Sequence, residues 1–195
     1  MDGKAFSLQE VSRLVDEASR DWKGMIILGA TSGLRLTDIA NLCWESVDLE
    51  SGLLRVATGK TGAVVILPIH PDFASWLSGR PSGIGRAAVF PELAGKRTDG
   101  DNGLSHQFGL LVEKAGIVRR ITPREGKGRT VTSKTFHSLR HTFVSQLANS
   151  GVASEIRQKL VGHSDSGVHK KYTHHELQTL RNAVAGLPSL NRRGA

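Results

Sequence analysis

Two five-residue runs of mostly branched apolar residues, Leu53-Leu54-Arg55-Val56-Ala57 and Ala63-Val64-Val65-Ile66-Leu67, flank Thr58-Gly59-Lys60-Thr61-Gly62. Such runs around a glycine-bearing turn read as an antiparallel hairpin. Elsewhere the apolar residues recur at helical spacing. Ser7-Leu8-Gln9-Glu10 has capping-box spacing, and Leu8, Val11, Leu14, Val15 and Ala18 follow on one face. A second helix spans roughly Asp21 to Thr31 and is ended by Gly33. Thr37 or Asp38 is expected to cap a short helix through Ile39 and Leu42. Pro68 and Pro71 close the sheet region. Further helices are expected at Pro71–Leu77, Leu104–Ala115 (ended by Gly116), Phe136–Ser150, Ser154–Val161 and Glu176–Val184, with a loop at Pro81–Arg86. The expected fold is α+β, mainly α-helical with a small antiparallel β-sheet.

At 195 residues the chain suits a single domain over 1–195, with no internal repeat and no evident linker. Lys and Arg number 26 against 18 Asp and Glu, a net charge of +8. That balance favours an anionic partner, and a DNA duplex is the most highly charged common one. A basic protein without such a partner satisfies the same numbers. Cys43 is the only cysteine, which excludes an intrachain disulfide and fits a reducing compartment. The apolar stretch from Met25 to Leu28 is too short to span a bilayer, and the N-terminus lacks a signal-peptide pattern. A cytoplasmic, DNA-associated location is the expectation.

The chemistry-bearing residues concentrate in the last third. Thr135-Phe136-His137-Ser138-Leu139-Arg140-His141-Thr142-Phe143 sets His137 and Arg140 three apart, on one helix face. Phe136, Leu139, Phe143 and Leu147 supply the opposite, buried face. Leu160-Val161-Gly162-His163 follows, and then Tyr172-Thr173-His174 with the chain's only tyrosine. An isolated H-x-x-R is more often a solvated polar face than a site, and a tyrosine is more often core. Tyr172, however, lies among His169-Lys170-Lys171 and Thr173-His174-His175 and joins no apolar stripe.

In this order and spacing, the run from His137 to His174 resembles the active-site region of the tyrosine recombinase (phage integrase) family, whose pattern is H-x-L-R-H-T-F, then L-G-H, then Y-T-H. Gly33-Leu34-Arg35 resembles that family's first arginine motif, with Asp38 at its acidic position. Lys60 in the hairpin resembles its β-turn lysine. The resemblance runs from about Phe6 to about Val184 and implies the catalytic-domain fold of that family.

It also implies roles that suit these residue types. Attack on a DNA phosphodiester piles charge on its nonbridging oxygens. Arg35 and Arg140 can donate bidentate hydrogen bonds there while staying cationic. His163 adds a donor of the oxyanion-hole type. Tyr172 is the implied nucleophile; a phenol with a pKa near ~10 needs help, and His137 is the group to accept its proton. Lys60 is the implied proton donor to the leaving 5′-oxygen. The product is a 3′-phosphotyrosyl link, attacked in turn by a 5′-hydroxyl of the partner strand. No cofactor, neither ATP nor a metal, is expected.

From Val118 to Arg140 lie seven Lys and Arg and one acid, read as an exposed loop or β-ribbon. Arg119, Arg120, Arg124, Lys127, Arg129 and Lys134 are its candidate phosphate contacts, and a merely solvated loop is the alternative. The histidines lack an H-E-x-x-H pattern for a metal. Asp99-Gly100-Asp101-Asn102-Gly103 has the start of a calcium loop, but Leu110 stands where the closing glutamate belongs. Leu177, Leu180 and Val184 make the last helix amphipathic. It docks either on a neighbouring copy, since the family implies a homo-oligomer (a tetramer) on double-stranded DNA, or on its own domain.

Two departures from the family stand out. The chain has no room for the family's N-terminal DNA-binding domain, and Gly167, Val168 and His169 occupy a stretch where relatives often carry threonines. Three other readings compete: a non-catalytic DNA-binding remnant, a type IB topoisomerase-like enzyme that reseals the same strand, and a metal-dependent nuclease. Retention of all six polar groups opposes the first. Chain size and the Y-T-H ending oppose the second, and the lack of a carboxylate cluster opposes the third.

Overall fold

A helix that is apolar on every side has to be surrounded, and helix α2 (Arg20–Ser32) is such a helix. Trp22, Met25, Ile26, Ile27, Leu28 and Ala30 are all buried. In the computed structural model, which describes residues 4–59, 62, 64–122, 131–161 and 173–190 (backbone alone at 121, 122 and 131), α2 is the centre of the molecule. Around it pack α1 (Leu8–Glu17), α3 (Leu36–Ala40), α4 (Pro71–Ser78) and α6 (His137–Asn149).

Two glycines set how closely those neighbours approach. A Cβ on Gly24 would stand 2.3 Å from the Trp76 ring of α4. On Gly29 it would stand 3.0 Å from both Phe136 and Leu139, at the start of α6. The aromatic side chains gather on either side of α2. Phe6, Trp22, Phe108 and Phe136 form one group, with Phe108 and Phe136 edge to face at 5.2 Å. Phe73, Trp76 and Phe90 form the other. Between the helices a buried Asp21 accepts from Arg80 at 2.7 Å and from the Glu92 amide at 2.9 Å, which satisfies an otherwise costly interior charge.

The hairpin forms as the sequence suggests. Strands β2 (Leu53–Ala57) and β3 (Val64–Pro68) pair antiparallel from Leu53↔Pro68 to Ala57↔Val64. A two-residue strand β1 (Val47–Asp48), not evident in the sequence, extends the sheet to the order β1-β2-β3. The basic stretch is a ribbon at its base, β4 (Ile121–Thr122) against β5 (Val131–Thr132). Helices α5 (Leu104–Lys114), α7 (Ser154–Val161) and α8 (His174–Ala185) complete the α+β architecture. No described helix is long and apolar enough to cross a membrane.

Local chemistry explains most helix ends. Ser7 and Glu10 make the expected capping box, Gly33 caps α2 at φ 65°, and Pro71 opens α4 behind the His70 imidazole, which accepts from the Asp72 amide. The short third helix differs from expectation. It begins at Leu36 after Arg35 and ends at Ala40, and neither Thr37 nor Asp38 caps it. Asp38 is drawn instead to a partner 21 residues away, the Gly59 amide.

Helix α8 buries Leu180 and Val184 in the chain's own core. Beyond it Leu187 and Leu190 are buried too, and Asp72 accepts from the Ser189 hydroxyl at 2.9 Å and the Leu190 amide at 2.5 Å.

Candidate active site

Three helix termini meet where the sequence places its arginines. The α2 C-cap leaves its last carbonyls open, α3 starts two residues later, and α6 brings in its first turn. Arg140 joins them: its half-buried guanidinium donates to the Gly33 carbonyl at 2.9 Å and to the Val161 carbonyl, at the end of α7, at 2.5 Å. Two of its five N–H groups are thereby fixed to backbone, which orients the fork. Burial, and after it the neighbouring charge of Arg35, push its pKa down from the ordinary value, while Asp38 pulls it up. It remains a cation at any working pH.

Arg35 extends from the α3 N-cap with its side chain 40% exposed, and its Nη1 lies 3.9 Å from Asp38 Oδ2. The Asp38 side chain is only 5% exposed. Its Oδ1 accepts from the Gly59 amide at 2.9 Å, and its Oδ2 has no hydrogen-bond donor among the described residues. One carboxylate thus connects the first arginine to the turn that carries position 60. Asp38 is the supporting acid of the sequence reading, and this link gives it a physical task.

His137 is the first residue of α6, solvent-accessible and edge to face with His141 at 5.1 Å between centroids. Partial desolvation, then the positive charges of His141, Arg140 and Arg35, hold its pKa below the ordinary 6.5. The positive end of α6 acts in the same direction. A neutral imidazole at neutral pH is a proton acceptor. Arg35, Asp38, His137 and Arg140 are therefore brought together. Lys60, His163 and Tyr172 lie outside the described residues.

Beside these groups opens a cleft of about 520 Å³. Arg35, Thr37 and His137 line it together with Thr98, Ser105, His106, Arg119, Thr132 and Lys134, and no carboxylate is among its described lining residues. Of the candidate phosphate contacts, Arg119 lies across Gly109, where a Cβ would stand 2.7 Å from its Nη1, and pairs with Glu113. At the ribbon the Arg120 amide donates to the Ser133 hydroxyl at 2.8 Å and the Arg120 carbonyl accepts from the Ser133 amide at 2.9 Å. Lys134, at φ 58°, pairs with Glu10 at 2.8 Å, donates to the Ala5 carbonyl and lies over the Phe6 ring. Its ammonium holds the start of the chain against the turn before His137. Arg124, Lys127 and Arg129 fall outside the described residues.

Sequence reasoning missed the carbonyls that seat Arg140, the Asp38–Gly59 bond, and Ser105 and His106 as cleft residues. The Arg140–Gly33 and Lys134–Glu10 contacts span more than a hundred residues, so no local pattern announces them.

The profile of the Phage integrase family matches residues 4–179. Tyrosine recombinase XerC of Xanthomonas campestris pv. campestris (strain B100) is 30% identical over 200 residues, covering 98% of this chain and 56% of the relative. Among solved structures, an integrase from mycobacterium phage Brujita superposes with a TM-score of 0.67 at 24% identity, over 97% of this chain and 59% of that one. The Tn1549 transposon integrase, solved in complex with circular intermediate DNA, gives 0.54 at 17% identity, over 91% of this chain and 64% of that one. The chain spans less than three fifths of the length of the curated recombinases it matches first, 58% and 56% of them.

Proposed function

Since the chain belongs to the phage integrase family, we propose that it cuts and rejoins double-stranded DNA through a 3′-phosphotyrosyl intermediate on Tyr172. The observation that carries this reading is the convergence of Arg35, Arg140 and His137 beside a cleft that holds Arg119 and Lys134 and no described carboxylate, with Leu36, Phe108 and Phe136 forming its apolar wall. Asp38 offsets part of the like charge gathered at the ends of three helices, and a bound anion would offset the rest. A phosphodiester is such an anion, and the adjoining cleft of about 520 Å³ offers space for flanking backbone.

In the proposed first step the Tyr172 hydroxyl oxygen attacks phosphorus and its proton passes to neutral His137. Arg35, Arg140 and His163 donate hydrogen bonds to the nonbridging oxygens as their charge grows. The bond to the 5′-oxygen breaks, and Lys60 supplies that oxygen's proton. In the second step a 5′-hydroxyl attacks the phosphotyrosyl link and regenerates the tyrosine. One phosphodiester is exchanged for an ester of similar energy, so the sequence balances without ATP. Arg119 and Arg120, with Arg124, Lys127 and Arg129, are assigned to backbone contacts that position the duplex. A single catalytic domain and a homo-oligomer on DNA, tetrameric in the full reaction, belong to the same proposal. Support for the DNA partner comes from the charge of +8 and from the DNA complex of the Tn1549 integrase.

The test is a covalent trap. The protein is incubated at low salt, in EDTA, with nicked suicide duplexes whose core is randomised, and SDS-resistant complexes are recovered. The expected result is an adduct that Tyr172→Phe abolishes. An adduct that survives that substitution, or none from the unaltered protein across the library, overturns the proposal.

A further inference from the structure

The residues proposed for cleavage include two, His163 and Tyr172, between the end of α7 and the start of α8. The carboxylate of Glu176 hydrogen-bonds to groups on both of those helices. Glu176 Oε1 accepts from Lys159 Nζ, on the last turn of α7, at 2.8 Å. Its Oε2 accepts from the Thr173 amide at 2.9 Å and the Thr173 hydroxyl at 3.1 Å, while the Glu176 amide donates to the Thr173 hydroxyl oxygen at 3.2 Å. Thr173 is the N-cap of α8 and the next residue after Tyr172.

Both carboxylate oxygens are therefore committed, one to each helix. A capping box needs only the second, so the first is an addition to it. The three donors hold the carboxyl down to about 2, which keeps the tie charged across the whole working range. Lys159 is set four residues before His163, and Glu176 four residues after Tyr172. The geometry points to Glu176 as a positioning residue that, through Lys159 and Thr173, fixes the spacing of the two backbone points from which His163 and Tyr172 are reached. The inference rests on the assignment of Tyr172 as nucleophile, and its structural half is testable without that assignment.

Tyr172 is the chain's only tyrosine, so 3-fluorotyrosine places one 19F reporter at that position. Spectra are compared for the unaltered protein, Glu176→Gln, Glu176→Ala, Lys159→Met and the exchanged pair Lys159→Glu with Glu176→Lys. Circular dichroism identifies any variant that fails to fold, and Glu176→Gln, which keeps an acceptor for the Thr173 amide, is the conservative control. The expected result is a displaced or broadened line in Lys159→Met and Glu176→Ala, and partial return toward the original line in the exchanged pair. In the covalent trap, adduct formation is expected to slow by about tenfold, within the ~10²-fold that misplacement by 1 Å can cost, with DNA affinity changed less than about twofold.

A 19F line indifferent to all folded variants overturns the inference whatever the activity. A responsive line in a protein that forms no adduct overturns the nucleophile assignment and leaves the tie standing. A responsive line with an unchanged adduct rate overturns the catalytic half of the inference.

Discussion

Replacing Gly33 by alanine strikes the point where α2, α6 and α7 meet. Gly33 sits at φ 65°, where a side chain costs about 1–2 kcal/mol. Its added Cβ would also stand 2.8 Å from Phe143, 3.3 Å from Val161 and 3.4 Å from Arg140 Cγ. Phe143 is fully buried and has nowhere to turn, so α6 must shift, adding an overpacking cost of about 1–3 kcal/mol. Gly52 provides the control. Its φ is 66°, yet an added Cβ would meet nothing within 4 Å. The left-handed cost and the unfolded-state entropy gain are common to both substitutions and cancel between them. Gly33→Ala is therefore expected to be less stable than Gly52→Ala by about 1–3 kcal/mol, or about 2–12 °C in Tm for a chain of this size. Urea unfolding followed through the three tryptophans, with matched thermal scans, measures this. Because Phe143 and Arg140 share α6, Gly33→Ala should also slow adduct formation while Gly52→Ala leaves it near normal. Equal stability of the two variants, or equal adduct rates, would refute the reasoning that packing at Gly33 sets the arginine.

His137 predicts a pH dependence. Its folded pKa lies below 6.5, so the neutral form is favoured on folding. Stability from this group is fully present above 6.5 and lost as pH falls through the lower folded value. Adduct formation should show an acid limb with its midpoint below 6.5, moving upward in His141→Gln; a midpoint above 6.5 that ignores His141 rejects His137 as proton acceptor. For Asp38, the bond to the Gly59 amide is a charge-assisted one worth about 1.5–3 kcal/mol, so Asp38→Ala should slow adduct formation by about tenfold or more with little change in DNA affinity. Asp38→Asn keeps an acceptor and should lose less. Equal losses would assign the role to the charge beside Arg35 rather than to the turn.

The sequence was legible where the cause is local. The capping box at Ser7, the Gly33 stop and the shared face of His137 and Arg140 all depend on residues within a few positions of one another, whereas the hairpin's second strand runs one residue later than its apolar pattern and takes in Pro68. It was illegible where a polar group is taken by a distant partner. Asp38 reads as a helix cap until Gly59 is beside it, and Lys134 reads as one more phosphate contact until Glu10, Ala5 and Phe6 are seen around it. β1 was missed because two residues carry no period, and it forms only as an addition to a hairpin already present.

Helix α8 is not where the interior ends. The match to the family model ends at residue 179, although similarity to the XerC relative covers 98% of the chain; Leu180, Val184, Leu187 and Leu190 still fill the core and Asp72 still grips the backbone at Leu190. An alignment records where residues are kept for a shared purpose; water exclusion obeys no such limit. A gene fragment cut at residue 179 would keep both described arginines, Arg35 and Arg140, and lose the segment whose Ser189 and Leu190 bind Asp72 on α4. The stretch that the family model recognises is shorter than the unit that folds.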